Sequence, residues 1–134
     1  MADADVLVVE DNLDLADSLA LYLSLRGLAS AVAADGAAAL EYLGRHEPPR
    51  LVVLDLMMPV LDGWGFLRQR RRDPALAAVP VLVCSGVAGH GGPPDGAELL
   101  AGCVGVHAKP VEPDVIEAAA RALPPLSAAG KTRP

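Results

Sequence analysis

The sequence has 134 residues and a formal net charge of −6, and 52% of its residues are apolar but only 3% aromatic. A chain of this length suits one domain with an aliphatic core that needs no disulfide or metal to fold, and Cys84 and Cys103 match no metal-binding spacing. The acidic charge argues against nucleic-acid binding. The N-terminus lacks the basic start of a secretory signal, and no apolar run reaches the ~20 residues of a membrane span. We therefore expect a cytoplasmic protein without membrane contact.

Strands and helices alternate through the first half of the chain. Short apolar runs predict buried strands at 6–9, 28–33 and 51–54. Between the first two, apolar residues at the spacing i, i+3, i+4, i+7 predict a helix that includes Ala16, Leu19, Ala20 and Leu23. An Asp or Asn in the turn 10–12 can cap this helix. A second helix is expected around Leu40 and ends before Pro48.

The alternation continues in the second half, with one weak place. The predicted elements are a helix over 64–72, a strand over 79–84, a strand over 104–106 and a helix over 113–123. The segment 89–96 is rich in Gly and Pro, and only 97–101 near it could be helical. We expect the tail 124–134 to be disordered. The pattern predicts one α/β domain over residues 1–123, whose parallel sheet binds ligands at the carboxyl ends of its strands.

Polar side chains follow the predicted strands at the edge where their carboxyl ends meet. They are, in chain order, Glu10, Asp11, Asp55, Ser85 and Lys109. Taken singly, such residues are more often helix caps or turn residues, but one sheet edge would bring all five together. Three neighbouring carboxylates repel one another unless a cation lies among them, and Mg²⁺ prefers oxygen ligands of this kind. A carboxylate in such a setting can also act as a nucleophile and form an aspartyl phosphate.

These residues resemble the receiver domain of two-component response regulators, the CheY-like superfamily. The resemblance covers residues 5–123 and is most specific in the stretch DLMMPVLDG that begins at Asp55. It implies a flavodoxin-like (βα)5 fold, a doubly wound parallel sheet of five strands in the order 2-1-3-4-5 with a weak or irregular fourth helix. It also implies phosphorelay signalling, in which a histidine kinase or phosphotransfer protein donates the phosphoryl group and an unknown output protein reads the result.

The resemblance further implies a Mg²⁺ site. Asp11 would bind the ion directly, Glu10 would bind it through water, and Asp55 would also be a metal residue. The backbone carbonyl of Met57 would be a further ligand. This assignment gives each carboxylate of the predicted cluster a separate part in holding one cation.

The remaining residues of the pattern are implied to act on the phosphoryl group. Asp55 would be the phosphorylated residue, and Ser85 and Lys109 would contact the phosphoryl oxygens. A cis bond to Pro110 would aim Lys109 at the site. The domain would catalyse its own phosphorylation and slow dephosphorylation, and would not otherwise be an enzyme.

Two features depart from the family pattern and leave an alternative open. The position three before the lysine usually carries an aromatic side chain that swings inward on phosphorylation, and here it is Val106. The Gly/Pro-rich segment 89–96 stands where the family has its fourth helix. The alternative is therefore a receiver-fold interaction module without a phosphorylation-driven switch; if a switch exists, residues 86–101 are the candidate for ordering on phosphorylation. An aspartate-nucleophile phosphatase would need a second Asp two residues after Asp55, where this chain has Met57.

Two other features have an ordinary and a functional interpretation. The basic run at 68–72 is either a solvated helix end or a docking surface for an acidic partner. Trp64, next to the Asp62-Gly63 pair, either packs against its neighbours or recognises a partner.

Overall fold

The computed structural model describes residues 3–86 and 92–123. In this part of the chain five strands and five helices alternate. The strands are β1 (Val6–Val9), β2 (Ser30–Ala33), β3 (Leu51–Leu54), β4 (Val81–Ser85) and β5 (Gly105–Ala108). The helices are α1 (Leu13–Leu25), α2 (Gly36–Arg45), α3 (Gly63–Arg72), α4 (Gly96–Ala101) and α5 (Pro113–Arg121). None of these helices has both the length and the apolar character that crossing a membrane requires. The tail predicted to be disordered, 124–134, lies outside the described residues.

The strands form one parallel sheet in the order β2-β1-β3-β4-β5, which confirms the predicted flavodoxin-like fold. β1 and β3 are neighbours, and Val9 lies level with Leu54 in their register. Both strands are buried along their whole length because helices cover both faces of the sheet. The residues that directly follow β1 and β3 therefore meet at one edge.

Two apolar clusters fill the space between the sheet and its helices. Successive residues of β1 point to opposite faces, so Leu7 belongs to one cluster and Val8 to the other. The first cluster contains the fully buried Phe66 of α3. The second joins Leu23 of α1 to Ile116 of α5. These clusters fix α1 and α5 on one face of the sheet and α3 on the other.

Some element boundaries differ from the predicted ones for local reasons. β4 begins at Val81 because the N–H of Val79 donates to a turn carbonyl, at 3.0 Å, and Pro80 has no N–H to give to the sheet. β5 continues to Ala108 because that residue still pairs with Ser85 of β4. The predicted weak helix before β5 is the six-residue α4.

The basic run of α3 is partly solvated, and most of it contacts the same chain. Arg68 donates two hydrogen bonds of 2.9 Å to the carboxylate of Asp95, just before α4. Arg71 lies 3.3 Å from the carboxylate of Glu98 in α4. The buried Arg70 donates a hydrogen bond of 2.9 Å to a backbone carbonyl in the turn before β4. Three of the arginines therefore stabilise neighbouring parts of the same chain.

A single buried carboxylate joins α1 to α5. Glu117 accepts hydrogen bonds from the hydroxyl of Tyr22, from Nε of Arg26 and from Nε of Arg121, at 3.0 to 3.1 Å. The hydrogen bond from Arg121 is the largest influence on the pKa of Glu117; with those from Tyr22 and Arg26 it holds that pKa below its usual value, against the effect of burial. The two helices are thus linked by charge as well as by apolar packing.

Candidate functional site

Three carboxylates converge at the carboxyl edge of β1 and β3. Glu10 and Asp11 follow β1, Asp55 follows β3, and one oxygen from each lies within 4.8 Å of the others. Pairing continues past the strands, since the N–H of Asp55 donates to the carbonyl of Val9 at 3.1 Å. Glu10 and Asp55 are buried, with 8% and 6% exposure, and Asp11 is exposed. The structure brings together the carboxylates that the sequence singled out.

Asn12, and not one of the carboxylates, caps α1. Its side-chain oxygen accepts a hydrogen bond from the N–H of Leu15 at 3.2 Å. Its own N–H donates to Oε2 of Glu10 at 3.0 Å, which fixes that side chain in the turn. Because Asn12 satisfies the helix terminus, capping does not account for Asp11.

Lys109 enters the cluster from the loop after β5. Its ammonium lies 2.5 Å from Oε1 of Glu10 and 3.3 Å from Oδ2 of Asp55. Burial works against the charge of Lys109, but the hydrogen bonds and charges of these two carboxylates outweigh it and raise the pKa of the lysine. The peptide bond from Lys109 to Pro110 is cis, as predicted, and the N–H of Lys109 donates to the carbonyl of Ser85 at 3.1 Å.

The charges of the site do not balance. Three carboxylates stand against one ammonium, so the cluster carries two excess negative charges. Like charges this close, partly removed from water, favour the binding of a cation among them. The donor set consists of hard oxygen atoms, which suits Mg²⁺ better than it suits a soft metal.

The other predicted site residues lie nearby in different surroundings. Ser85 ends β4 and is fully buried. The N–H of Met57 donates to Oδ1 of Asp55 at 3.2 Å, while the Met57 side chain is largely exposed. Val106 pairs with Val83 of β4 and is 40% exposed. The position that carries the aromatic switch in the family is thus a partly solvated valine on the edge strand.

The loop between β3 and α3 approaches Asp55 very closely. A β-carbon placed on Gly63 would lie 2.6 Å from the carbonyl oxygen of Asp55 and from Cα of Leu56, so only glycine fits there. The N–H of Gly63 donates to the carbonyl of Leu56 at 3.0 Å. Within the loop, Val60 adopts a left-handed backbone conformation with φ of 67° and is 84% exposed. Sequence analysis did not single out this strained valine.

A groove of about 460 Å³ opens beside the carboxylates, between α1 and α5. Its walls are mainly apolar, and they include Leu15, Leu19, Val111 and Ile116. Asp55 and Lys109 lie at its polar end, and Cys84 also lines it. Burial raises the pKa of the Cys84 thiol to about 11, although the charge of Lys109 acts in the opposite direction. The thiol is therefore protonated at neutral pH and behaves as a small apolar group.

Comparison with known proteins agrees with this geometry. The family model described as the response regulator receiver domain matches residues 6–121. The response regulator Rre1 of Synechocystis sp. is 33% identical over 119 residues, which make up 88% of this chain and 50% of that protein. The chain spans about half the length of the curated relatives that it matches.

Solved structures share the fold. A response regulator receiver protein from Pseudomonas putida matches with a TM-score of 0.77 at 28% identity, over 91% of this chain and 98% of that one. The receiver domain of a sensor histidine kinase from Pseudomonas aeruginosa PAO1 matches with a TM-score of 0.76 over 91% of this chain and 98% of that one. That protein holds a magnesium ion in its active-site cleft, and at 24% identity the likeness concerns the fold alone.

Proposed function

The chain belongs to the response regulator receiver domain family, and from that premise we propose that Asp55 accepts a phosphoryl group from a histidine kinase or phosphotransfer protein. The observation that carries this proposal is the buried carboxylate of Asp55, held between the ammonium of Lys109 and the carboxylates of Glu10 and Asp11. Such a site can neutralise a phosphoryl group at the place where a nucleophile is fixed. The output would be phosphorylation-dependent binding of a partner protein.

The chemistry requires little beyond alignment and charge neutralisation. A carboxylate oxygen of Asp55 attacks phosphorus, the bond from phosphorus to the donor atom breaks, and its electron pair leaves with the donor. Lys109, which contacts Asp55 in the structure, would stabilise one phosphoryl oxygen. The hydroxyl of Ser85 would donate a hydrogen bond to another. Slow hydrolysis of the product would return the domain to its starting state.

The donor set fits a bound Mg²⁺. Asp11, Asp55 and the backbone carbonyl of Met57 would hold the ion, and Glu10 would contact it through water. Both oxygens of Glu10 already accept hydrogen bonds, one from Lys109 and one from the N–H of Asn12. This suits a contact with the ion through water. When bound, the ion would supply positive charge for the phosphoryl oxygens.

Labelling with a small phosphodonor tests the assignment. In the presence of Mg²⁺, acetyl phosphate is expected to phosphorylate the wild-type protein, and Asp55→Asn is expected to abolish the label. Asp17→Asn, which changes an exposed carboxylate on α1, is the matched control and should label normally. Peptide mapping that finds undiminished label on another residue in the Asp55→Asn protein would sink the assignment.

A second candidate function is an interaction module that does not respond to phosphorylation. The observation in its favour is Val106, which has no ring to move. Partner binding that is equal before and after labelling of Asp55 would support this alternative. The family match does not point to any further enzymatic activity, and the cytoplasmic location and the extent of the domain over 1–123 stay predictions.

A further inference from the structure

The only tryptophan of the chain packs against the segment that leads into α4. β-Carbons placed on Gly92 and Gly96 would lie 2.9 Å and 3.2 Å from the ring of Trp64. The ring therefore lies directly on the backbone at these two positions. Trp64 is the second residue of α3 and is half-buried. This contact supports the packing interpretation of the tryptophan.

Two ion pairs hold α4 to α3 beside this ring. The guanidinium of Arg68 forms a two-pronged pair with Asp95, with both hydrogen bonds at 2.9 Å. Arg71 pairs with Glu98 one turn further along. Partly exposed pairs add little stability, but the paired geometry of Arg68 fixes the orientation of the segment. A helix of six residues does not form by itself in water, so α4 depends on tertiary contacts: the burial of Leu99 in the apolar core, the ring of Trp64 and these ion pairs.

The other side of Trp64 is connected to Asp55. Gly63, the preceding residue, lies against the backbone of Asp55 and Leu56 with no space for a side chain. The loop is also attached to the carboxylate itself, because the N–H of Met57 donates to Oδ1 of Asp55. A phosphoryl group added to either oxygen removes the carboxylate charge that the N–H of Met57 now contacts. The loop that carries Met57 leads directly into the first turn of α3 and Trp64.

We propose that Trp64 transmits the phosphorylation state of Asp55 to α4. Its ring would replace the aromatic side chain that the family usually has at the position of Val106. This inference rests on the proposed function. The loop after Asp55 moves the first turn of α3, the indole ring moves with it, and Gly92 and Gly96 must follow because their backbone touches the ring. Arg68 and Asp95 make the two helices respond together. The output element is then α4 as held by α3, and not the edge strand β5.

Tryptophan fluorescence and hydrogen exchange test the proposal in the full chain. Beryllofluoride with Mg²⁺ serves as the phosphoryl mimic. We expect the emission of the single tryptophan to change, and exchange at residues 96–101 to change by at least about fivefold, the lower end of typical coupling between two sites. In Asp55→Asn both responses should be absent.

Two variants and one control variant separate the tryptophan route from any other. Trp64→Leu should still be labelled on Asp55 by acetyl phosphate but lose the exchange response at 96–101. Arg68→Gln should weaken that response, while Arg72→Gln, an exposed arginine for which the described residues contain no ion pair, should leave it unchanged. Melting curves check that each variant is folded.

The outcomes are distinct. An exchange response at 96–101 that is as large in Trp64→Leu as in the wild type overturns the tryptophan route, and so does a silent α4 in a wild-type protein that is labelled on Asp55. Absence of label on the wild-type protein overturns the proposed function itself, and the inference with it.

Discussion

Replacing Val60 by glycine is expected to stabilise the domain, although the change removes a side chain. Val60 has a φ of 67°, in the left-handed region. This conformation costs an L-residue about 1–2 kcal/mol of conformational energy, and a β-branched side chain increases the cost. The side chain is 84% exposed, so its removal sacrifices little buried surface. Against this, glycine lowers the free energy of unfolding by about 0.4–1 kcal/mol, because it gives the unfolded chain more conformational freedom. The net gain should be about 0.5–1 kcal/mol.

Urea denaturation and melting curves measure this gain, which corresponds to about 2–4 °C in a domain of this size. Val60→Asn should give a similar gain, because asparagine tolerates the left-handed region without the cost in entropy. Val104→Gly is the matched control: that valine is 51% exposed, and Val60 is the only residue other than glycine with positive φ in the described part of the chain. Equal destabilisation by Val60→Gly and Val104→Gly would refute the reasoning.

Three further predictions concern the site and its supports. Gly63→Ala should destabilise the domain by about 3 kcal/mol in urea, because the new β-carbon would lie 2.6 Å from backbone atoms of Asp55 and Leu56; a cost near zero would contradict the close packing. Mg²⁺ at a hundredfold excess over its Kd should stabilise the wild type by about 2.7 kcal/mol and Asp11→Ala far less; equal shifts in the melting temperature would argue against the metal site. The pKa of Glu117 in the folded protein is below its usual 4.5. The stability that its charge contributes is therefore complete above pH 4.5 and is lost as pH falls through the lower folded pKa. Glu117→Gln should flatten the acid side of a plot of melting temperature against pH, and an unchanged slope would count against the charged network.

The buried centre of the fold could be predicted from sequence because its signal is local. β1 and β3 are covered on both faces, so each appears as an uninterrupted apolar run, and their bounds were predicted to the residue. β5 lies at the edge and is largely exposed, so it has no such run and its prediction was two residues short at the end. The sheet order followed from the family resemblance, whereas the meeting of Glu10, Asp11 and Asp55 followed from the parallel strands, whose carboxyl ends share one edge.

Contacts between distant side chains could not be predicted in this way. Lys109 pairs with Glu10 across 99 residues, and the choice of partner depends on side-chain directions that no local pattern encodes. The basic run of α3 was interpreted as a solvated or docking face because its acidic partners, Asp95 and Glu98, lie just before and within a helix that the composition barely indicates. The left-handed conformation of Val60 has no local signal either; the carbonyl of the next residue, Leu61, accepts a hydrogen bond of 2.8 Å from the N–H of Gly36 in the distant α2.

The contact between one large ring and two glycines constrains the order in which these positions can change over evolutionary time. While Trp64 is present, alanine at Gly92 would press its β-carbon to 2.9 Å from the ring. The three atoms nearest to that β-carbon all belong to the Trp64 ring, so a smaller side chain at position 64 removes its closest contacts. The cost of Gly92→Ala should therefore be larger in the wild type than in a Trp64→Leu background, a non-additivity that a double-mutant cycle measures. Loss of the ring before loss of Gly92 is therefore the less costly order of change.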